Sequence, residues 1–133
     1  MFYRDKKILV TGGTGFVGSH FVEALLAQSA RVRVPLHHRP LANQDSAVEA
    51  IPADLTRLED CLQLCEGVDY VFHAAGAVSA AGVTVTNPMS AIATNLILTV
   101  RILEAAMACG VRRILIFSSG TTAYPPVDYP ISE

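Results

Sequence analysis

The sequence predicts an α/β chain: a doubly wound, five-stranded parallel sheet in the order 3-2-1-4-5 with helices on both faces. Three observations carry this. Short apolar runs rich in β-branched residues alternate with segments of helical period. The strand-like runs are continuous in hydrophobicity rather than alternating, the pattern of strands covered on both faces. The strand–helix–strand rhythm requires parallel pairing through right-handed crossovers. With 133 residues, 51% of them hydrophobic and 17% charged, the chain can bury one core as one domain.

The elements follow in order. Residues 7–11 (KILVT) form strand one. Residues 16–28 form a helix, because Phe16, Val17, Phe21, Val22, Leu25 and Leu26 recur at helical spacing. Residues 31–36 form strand two and residues 48–52 a short strand three. A short helix covers residues 57–65, with Thr56 as its cap, Glu59 completing a capping box and Gly67 ending it. Residues 69–73 (DYVFH) are strand four. Pro88 opens a long helix that reaches about Cys109 and closes at Gly110; residues 112–117 (RRILIF) are strand five. The proline-rich stretch 124–130 is loop, and there is no internal repeat.

Charge and composition exclude several functions. The formal net charge is −2, and the one dense basic cluster is His37-His38-Arg39, so the broad Lys/Arg surface needed for nucleic acid is missing. The most apolar region, residues 96–108, is interrupted by Arg101 and Glu104 and does not read as a membrane span. The opening MFYRDKKILVTGG has no signal-peptide pattern. Cys61, Cys65 and Cys109 are an odd set without metal spacing and read as reduced packing residues. A cytoplasmic protein without a metal is the expectation.

Residues 11–18 read T-G-G-T-G-F-V-G, after a strand and at the start of a helix. In that context Gly12 permits a tight turn, Gly15 lets a pyrophosphate approach the backbone and Gly18 lets the helix pack closely on the strand. The helix N-terminus offers N–H groups and a favourable dipole to phosphate. A glycine-rich turn without a ligand is the competing reading; the flanking strand and helix favour a dinucleotide and the Rossmann arrangement.

TGGTGFVGSH resembles the fingerprint of the extended short-chain dehydrogenases/reductases, which include nucleotide-sugar epimerases, dehydratases and reductases. Four further matches occur in family order, and the resemblance spans essentially the whole chain. It implies that Gly12, Gly15, Phe16, Val17 and Gly18 surround the pyrophosphate. It implies that Asp54-Leu55 meets the adenine amino group, although Asp54 alone could be a helix-flanking cap. His73-Ala74-Ala75-Gly76 resembles the segment that passes the adenine ribose and pyrophosphate; His73 reads as a backbone-positioning residue, and Ala74, Ala75 and Gly76 as contacts. Asn95 resembles the Asn that stabilises the long helix and the site. Ser118 to Tyr124 resembles the segment bearing the active-site Ser or Thr. Gly120 stands where that hydroxyl is usual, so its neighbours Ser119 and Thr121 are the catalytic candidates.

Cofactor choice rests on the end of strand two. An acidic residue there binds both ribose hydroxyls of NAD. Leu36 occupies that position, and His37, His38 and Arg39 follow. A guanidinium can pair bidentately with a 2′-phosphate. His38 and Arg39 are therefore candidate contacts and NADP is favoured, with NAD possible; a solvated basic turn is the other reading.

The resemblance implies hydride transfer assisted by a Tyr with a Lys four residues on. Tyr3 and Lys7 have that spacing but lie before strand one, at the wrong end of a parallel sheet. Tyr70, Tyr124 and Tyr129 lack the Lys. Residues 1–133 thus read as an incomplete dinucleotide-binding domain, expected to be inactive alone, with the substrate-binding part absent. Pro125 resembles GDP-fucose-synthase-like members, hinting at a nucleotide-sugar substrate. The function expected is the dinucleotide-binding portion of an NAD(P)-dependent epimerase, dehydratase or reductase; a catalytically silent NAD(P)-binding sensor is the alternative. The long helix carries Ile92, Leu96, Val100, Leu103 and Met107 along one face with Ala93, Ile97 and Ala105 beside them, and Leu98 reads as outward-facing. That is wide for one sheet contact. The resemblance implies a homodimer through the Pro88 to Cys109 helix; packing across two strands is the alternative.

Overall fold

The computed structural model describes residues 1–38, 40, 45–77 and 88–117. Five strands form one parallel sheet: β1 (Lys7–Thr11), β2 (Arg31–Leu36), β3 (Val48–Pro52), β4 (Tyr70–His73) and β5 (Arg113–Ile116). Their order is β3-β2-β1-β4-β5, as the sequence predicts. Three helices accompany them: α1 (Phe16–Leu26), α2 (Leu58–Cys65) and α3 (Pro88–Ala108).

The central strand explains the unpatterned hydrophobicity. Side chains alternate across a strand, so Leu9 enters one cluster and Ile8 and Val10 the other. On one face Leu9 and Val71 pack with Leu64 and Cys65 of α2 and Ile102, Ala105 and Ala106 of α3. On the other, Ile8, Val10, Val32, Val34 and Phe72 pack with Val22 and Leu25 of α1. Both faces of β1 are covered, and an alternating pattern would have put polar groups in one of the two cores. Cys61 and Cys65 are buried free thiols, and burial pushes them up to about 11 and about 12, so both stay protonated and pack. No helix among the described residues is long and apolar enough to cross a membrane.

Three local expectations, on Thr56, Leu98 and Ala105, are corrected. Thr56 does not cap α2: Arg57 is the N-cap, without a side-chain cap bond. The Thr56 hydroxyl instead donates to Asp54 Oδ1 at 2.7 Å, because Asp54 folds the chain into an Asx turn whose oxygen also accepts from Thr56 N–H at 2.9 Å. Phe16 and Val17 share the helical apolar pattern of α1 but leave the core; Phe16 is 83% exposed. Leu98 faces inward, partly buried against the core, and Ala105 is fully buried. The outward face of α3 is the stripe Ile92, Leu96, Val100 and Met107.

Candidate functional site

The parallel sheet brings the carboxyl ends of β1, β4 and β5 to one edge. Between β1 and α1 the glycine loop turns there. Gly12 has φ of +72°, and a Cβ on it would lie 2.7 Å from the Ala74 carbonyl and Ala75 nitrogen, so only glycine lets the loop press against the end of β4. A Cβ on Gly18 would overlap the Gly12 carbonyl, which holds α1 hard against the turn. Gly15 differs: a Cβ there meets only Gly12 O, at 3.2 Å. Its space opens outward.

α1 begins at Gly15 without any side-chain cap and without an acidic residue in its first turn. The first intrahelical bond near the start runs from Ser19 N–H to Gly15 O at 2.9 Å. The N–H groups of Phe16, Val17 and Gly18 therefore project from the N-terminus at the positive end of the helix dipole. Beside them lies an open cavity of about 390 Å³ lined in part by Val17, Ala74, Ala75, Gly76, Asn95 and Thr99.

Asn95 holds the floor of this cavity. Its Oδ1 accepts from Ala77 N–H at 2.6 Å and its Nδ2 donates to Ala77 O at 3.1 Å. Both ends of the amide are spent on one residue's backbone, so Asn95 shapes the segment after β4. That supplies the specific bond which a mid-helix Asn calls for.

A second device orders the same segment. Thr11 Oγ1 lies 2.8 Å from His73 Nδ1 and accepts from Ala75 N–H at 3.2 Å. His73 Nε2 lies 3.3 Å from Thr99 Oγ1. Burial holds the His73 imidazole below its usual range, so it is neutral near pH 7. His73 thus reaches the backbone of Ala75 only through Thr11. Thr11 and Thr99 were not singled out from the sequence. The available signal was the i, i+4 spacing of Asn95 and Thr99, which puts both on one helix face.

Farther along the edge, Leu36 ends β2 and the exposed His37 and His38 rings meet at a tilt of 51° with centroids 3.6 Å apart. Asp54 follows β3. Hydrogen bonds from the Thr56 backbone and hydroxyl hold its carboxyl below the usual range, with His37 and Arg57 adding to this, so it is ionised. Leu55 is buried in the core and presents only backbone to this edge. The structure thus brings Gly12, Gly15, Phe16, Val17, Gly18, Ala74, Ala75, Gly76 and Asn95 together, with His38 and Asp54 on the same edge of the sheet. Arg39, Ser119 and Thr121 lie outside the described residues.

Comparison with known proteins agrees with this geometry. Residues 8–133 match the model of the NAD-dependent epimerase/dehydratase family. The chain is 35% identical to a UDP-glucose 4-epimerase of Mycolicibacterium smegmatis, over 96% of this chain and 43% of that protein. It is 31% identical to a 3β-hydroxysteroid dehydrogenase/isomerase of Mycobacterium tuberculosis, over 86% of this chain and 32% of that one. A solved structure, MoeE5 in complex with UDP-glucose and NAD, superposes with a TM-score of 0.78 at 30% identity, covering 96% of this chain and 40% of the other. The chain spans less than half the length of each. With the family match covering nearly all of it and the parallel sheet and glycine loop in place, this chain belongs to the NAD-dependent epimerase/dehydratase family.

Proposed function

We propose that these residues form the dinucleotide-binding part of an NAD(P)-dependent epimerase, dehydratase or reductase acting on a nucleotide sugar or a similar hydroxyl or carbonyl substrate. The observation that carries this is the uncapped N-terminus of α1 beside a cavity walled by residues 74–76. Phosphate at that terminus accepts from the N–H groups of residues 16–18. Gly12 and Gly18 hold the loop close to the sheet, and Gly15 leaves room for the pyrophosphate. Asp54, ionised and anchored by Thr56, accepts from the adenine amino group, and Leu55 contributes backbone. Asn95 keeps Ala77, and with it the Ala74–Gly76 wall, in position. The nicotinamide, when bound, supplies the hydride acceptor or donor. Ser119 or Thr121 binds the reacting hydroxyl of the substrate.

NADP is the favoured cofactor and NAD the alternative. Support comes from Leu36, which cannot accept from a ribose hydroxyl, and from His38 and Arg39 just after it. The nucleotide-sugar class draws support from the UDP-glucose 4-epimerase likeness and from the UDP-glucose that MoeE5 binds. The exposed stripe on α3 supports self-association as a homodimer through that helix.

Calorimetric titration with NADPH and NADH tests the reading. We expect binding of both, tighter for NADPH, and loss of about tenfold or more in Gly15→Val, whose Cβ has one close neighbour, Gly12 O at 3.2 Å, and otherwise enters the space left for the pyrophosphate. Arg39→Glu should weaken NADPH by roughly ten- to a hundredfold and NADH much less. Equal weakening of both cofactors would remove Arg39 from 2′-phosphate recognition, and wild-type protein that binds neither would end the proposal.

A further inference from the structure

Counting protons along the Thr11–His73–Thr99 chain settles its direction. Thr11 is fully buried, and its oxygen already accepts from Ala75 N–H at 3.2 Å. Its own proton needs an acceptor, since a buried hydroxyl left unpaired costs about 1–3 kcal/mol. Among the described residues the group in reach is His73 Nδ1, 2.8 Å away. Thr11 therefore donates and Nδ1 accepts. A neutral imidazole has one N–H, which must then sit on Nε2. Nε2–H donates to Thr99 Oγ1 at 3.3 Å. The opposite tautomer would leave the Thr11 proton without an acceptor among the described residues, in a fully buried position where an unpaired hydroxyl proton is disfavoured.

The consequence falls on Thr99. Its oxygen is taken as an acceptor, and its proton remains. A threonine in a helix commonly spends that proton on the carbonyl four residues back. Here that carbonyl belongs to Asn95, and the Thr99 hydroxyl makes no such bond; its partner among the described residues is His73. Thr99 is half-buried and lines the same cavity as Val17 and Ala74–Gly76. We infer that the Thr99 hydroxyl is a ligand contact, donating its proton to an oxygen acceptor of the dinucleotide bound in that cavity, with His73 and Thr11 holding it in the donating orientation. This rests on the dinucleotide reading above. The chain polarises in one sense, from Ala75 N–H through Thr11 and His73 to Thr99, and each link strengthens the next. Burial keeps His73 neutral, so the sense holds near pH 7.

The test is calorimetric titration of wild type, Thr99→Val and Thr99→Ser with NADH, ADP-ribose and ADP. Valine keeps the shape and removes the hydroxyl; serine restores it. We expect Thr99→Val to bind NADH about three- to tenfold more weakly, the effect of one lost hydrogen bond, and Thr99→Ser to recover to within roughly twofold of wild type. The three ligands locate the acceptor. A loss shared by ADP places it on the pyrophosphate or the adenosine ribose. A loss confined to ADP-ribose and NADH places it on the second ribose, and a loss confined to NADH on the carboxamide. Equal binding of all three ligands by Thr99→Val and wild type would overturn the inference while leaving the dinucleotide reading intact; a wild type that binds none of them would end both. Nitrogen-15 shifts of the His73 ring give an independent check in the wild type. Protonation on Nε2 is expected, and protonation on Nδ1 would overturn the assignment whatever the titrations read.

Discussion

Arg33 puts a positive charge between buried valines of β2. It is 6% exposed on β2, between Val32 and Val34. Its guanidinium donates to Gln63 O at 3.1 Å, Leu64 O at 2.7 Å and Glu66 O at 3.1 Å, and Nε donates to Glu49 Oε2 at 2.9 Å. The last carbonyls of a helix have no intrahelical partner and carry the negative end of its dipole, so α2 ends on a buried cation in place of water. Arg33→Met should cost about 2–4 kcal/mol in urea denaturation, because it leaves the buried Leu64 carbonyl unpaired at about 1–3 kcal/mol while the part-buried Gln63 and Glu66 carbonyls lose a charged partner; a loss below about 1 kcal/mol would show that the carbonyls find other partners. Among the described residues Glu49 and His73 shape the acid response, with Asp54, held below its ordinary 3.8 by the Thr56 hydrogen bonds, adding to it at the acid end. The Arg33 hydrogen bond holds Glu49 below its ordinary 4.5, so its stabilisation is complete above that pH and is lost as pH falls through the lower folded value. Burial holds His73 below its ordinary 6.5, so between that pH and the lower folded value the unfolded chain binds the extra proton and stability falls on acidification. Stability measured against pH should therefore decline below about 6.5 and more steeply below about 4.5. The upper part should be absent in His73→Gln, and the lower part reduced in Arg33→Met. An unchanged upper slope in His73→Gln would assign it to another group.

A single helix can answer to three environments at once, and α3 does. Ile102, Ala105 and Ala106 enter the core; Asn95 and Thr99 face the cavity; Ile92, Leu96, Val100 and Met107 face outward, with Leu96 62% and Met107 81% exposed. Periodicity reveals that such a helix is apolar over a wide arc, but not which side of the arc meets the sheet. That ambiguity put Leu98 on the wrong side. For the proposed homodimer the two leucines now separate two effects. Leu96→Glu should shift sedimentation from dimer to monomer with the fold intact, since the carboxylate replaces an exposed apolar group. Leu98→Glu should lower stability by several kcal/mol, because it places a charge against the core. A wild type that sediments as a monomer at tens of micromolar would remove the homodimer. The start of α1 poses the same problem on a smaller scale. Phe16 and Val17 are apolar at helical spacing, yet they occupy the first turn, where the helix overhangs the end of the sheet and there is no core to enter.

At the scale of the whole molecule, a parallel sheet with right-handed crossovers delivers every strand's carboxyl end to one edge, and chemistry belongs there. The pair Tyr3 and Lys7 is at the opposite edge and is otherwise engaged: Tyr3 packs edge-on against Tyr70 and Phe72, and Lys7 pairs with Glu49 at 3.2 Å. Loss of a general acid/base alone costs about 10²- to 10⁴-fold. The 133-residue chain should therefore bind dinucleotide and show no steady-state hydride transfer above a Gly15→Val control with UDP-sugars; turnover above that control would mean that another residue serves as the acid/base. The sequence by itself determined the strand order and the glycine loop. Hydrophobic runs, helix-ending glycines and a three-glycine spacing are local signals, and the handedness of crossovers leaves few ways to assemble them. It determined Asn95 too, because an Asn inside a helix costs enough to need a bond. Only the tertiary structure decided that Thr56 serves Asp54 rather than α2, that Leu98 faces in and Leu96 out, and that Arg33 ends α2. It also decided that Thr11, His73 and Thr99 form one hydrogen-bonded chain. Each of these depends on which groups meet across 26 to 62 residues of sequence, on which side of a helix meets the sheet, or on whether a hydroxyl donates to a nearby carboxylate or accepts from a helix N–H. Residue spacing can put Asn95 and Thr99 on one helix face, but it does not say what that face meets.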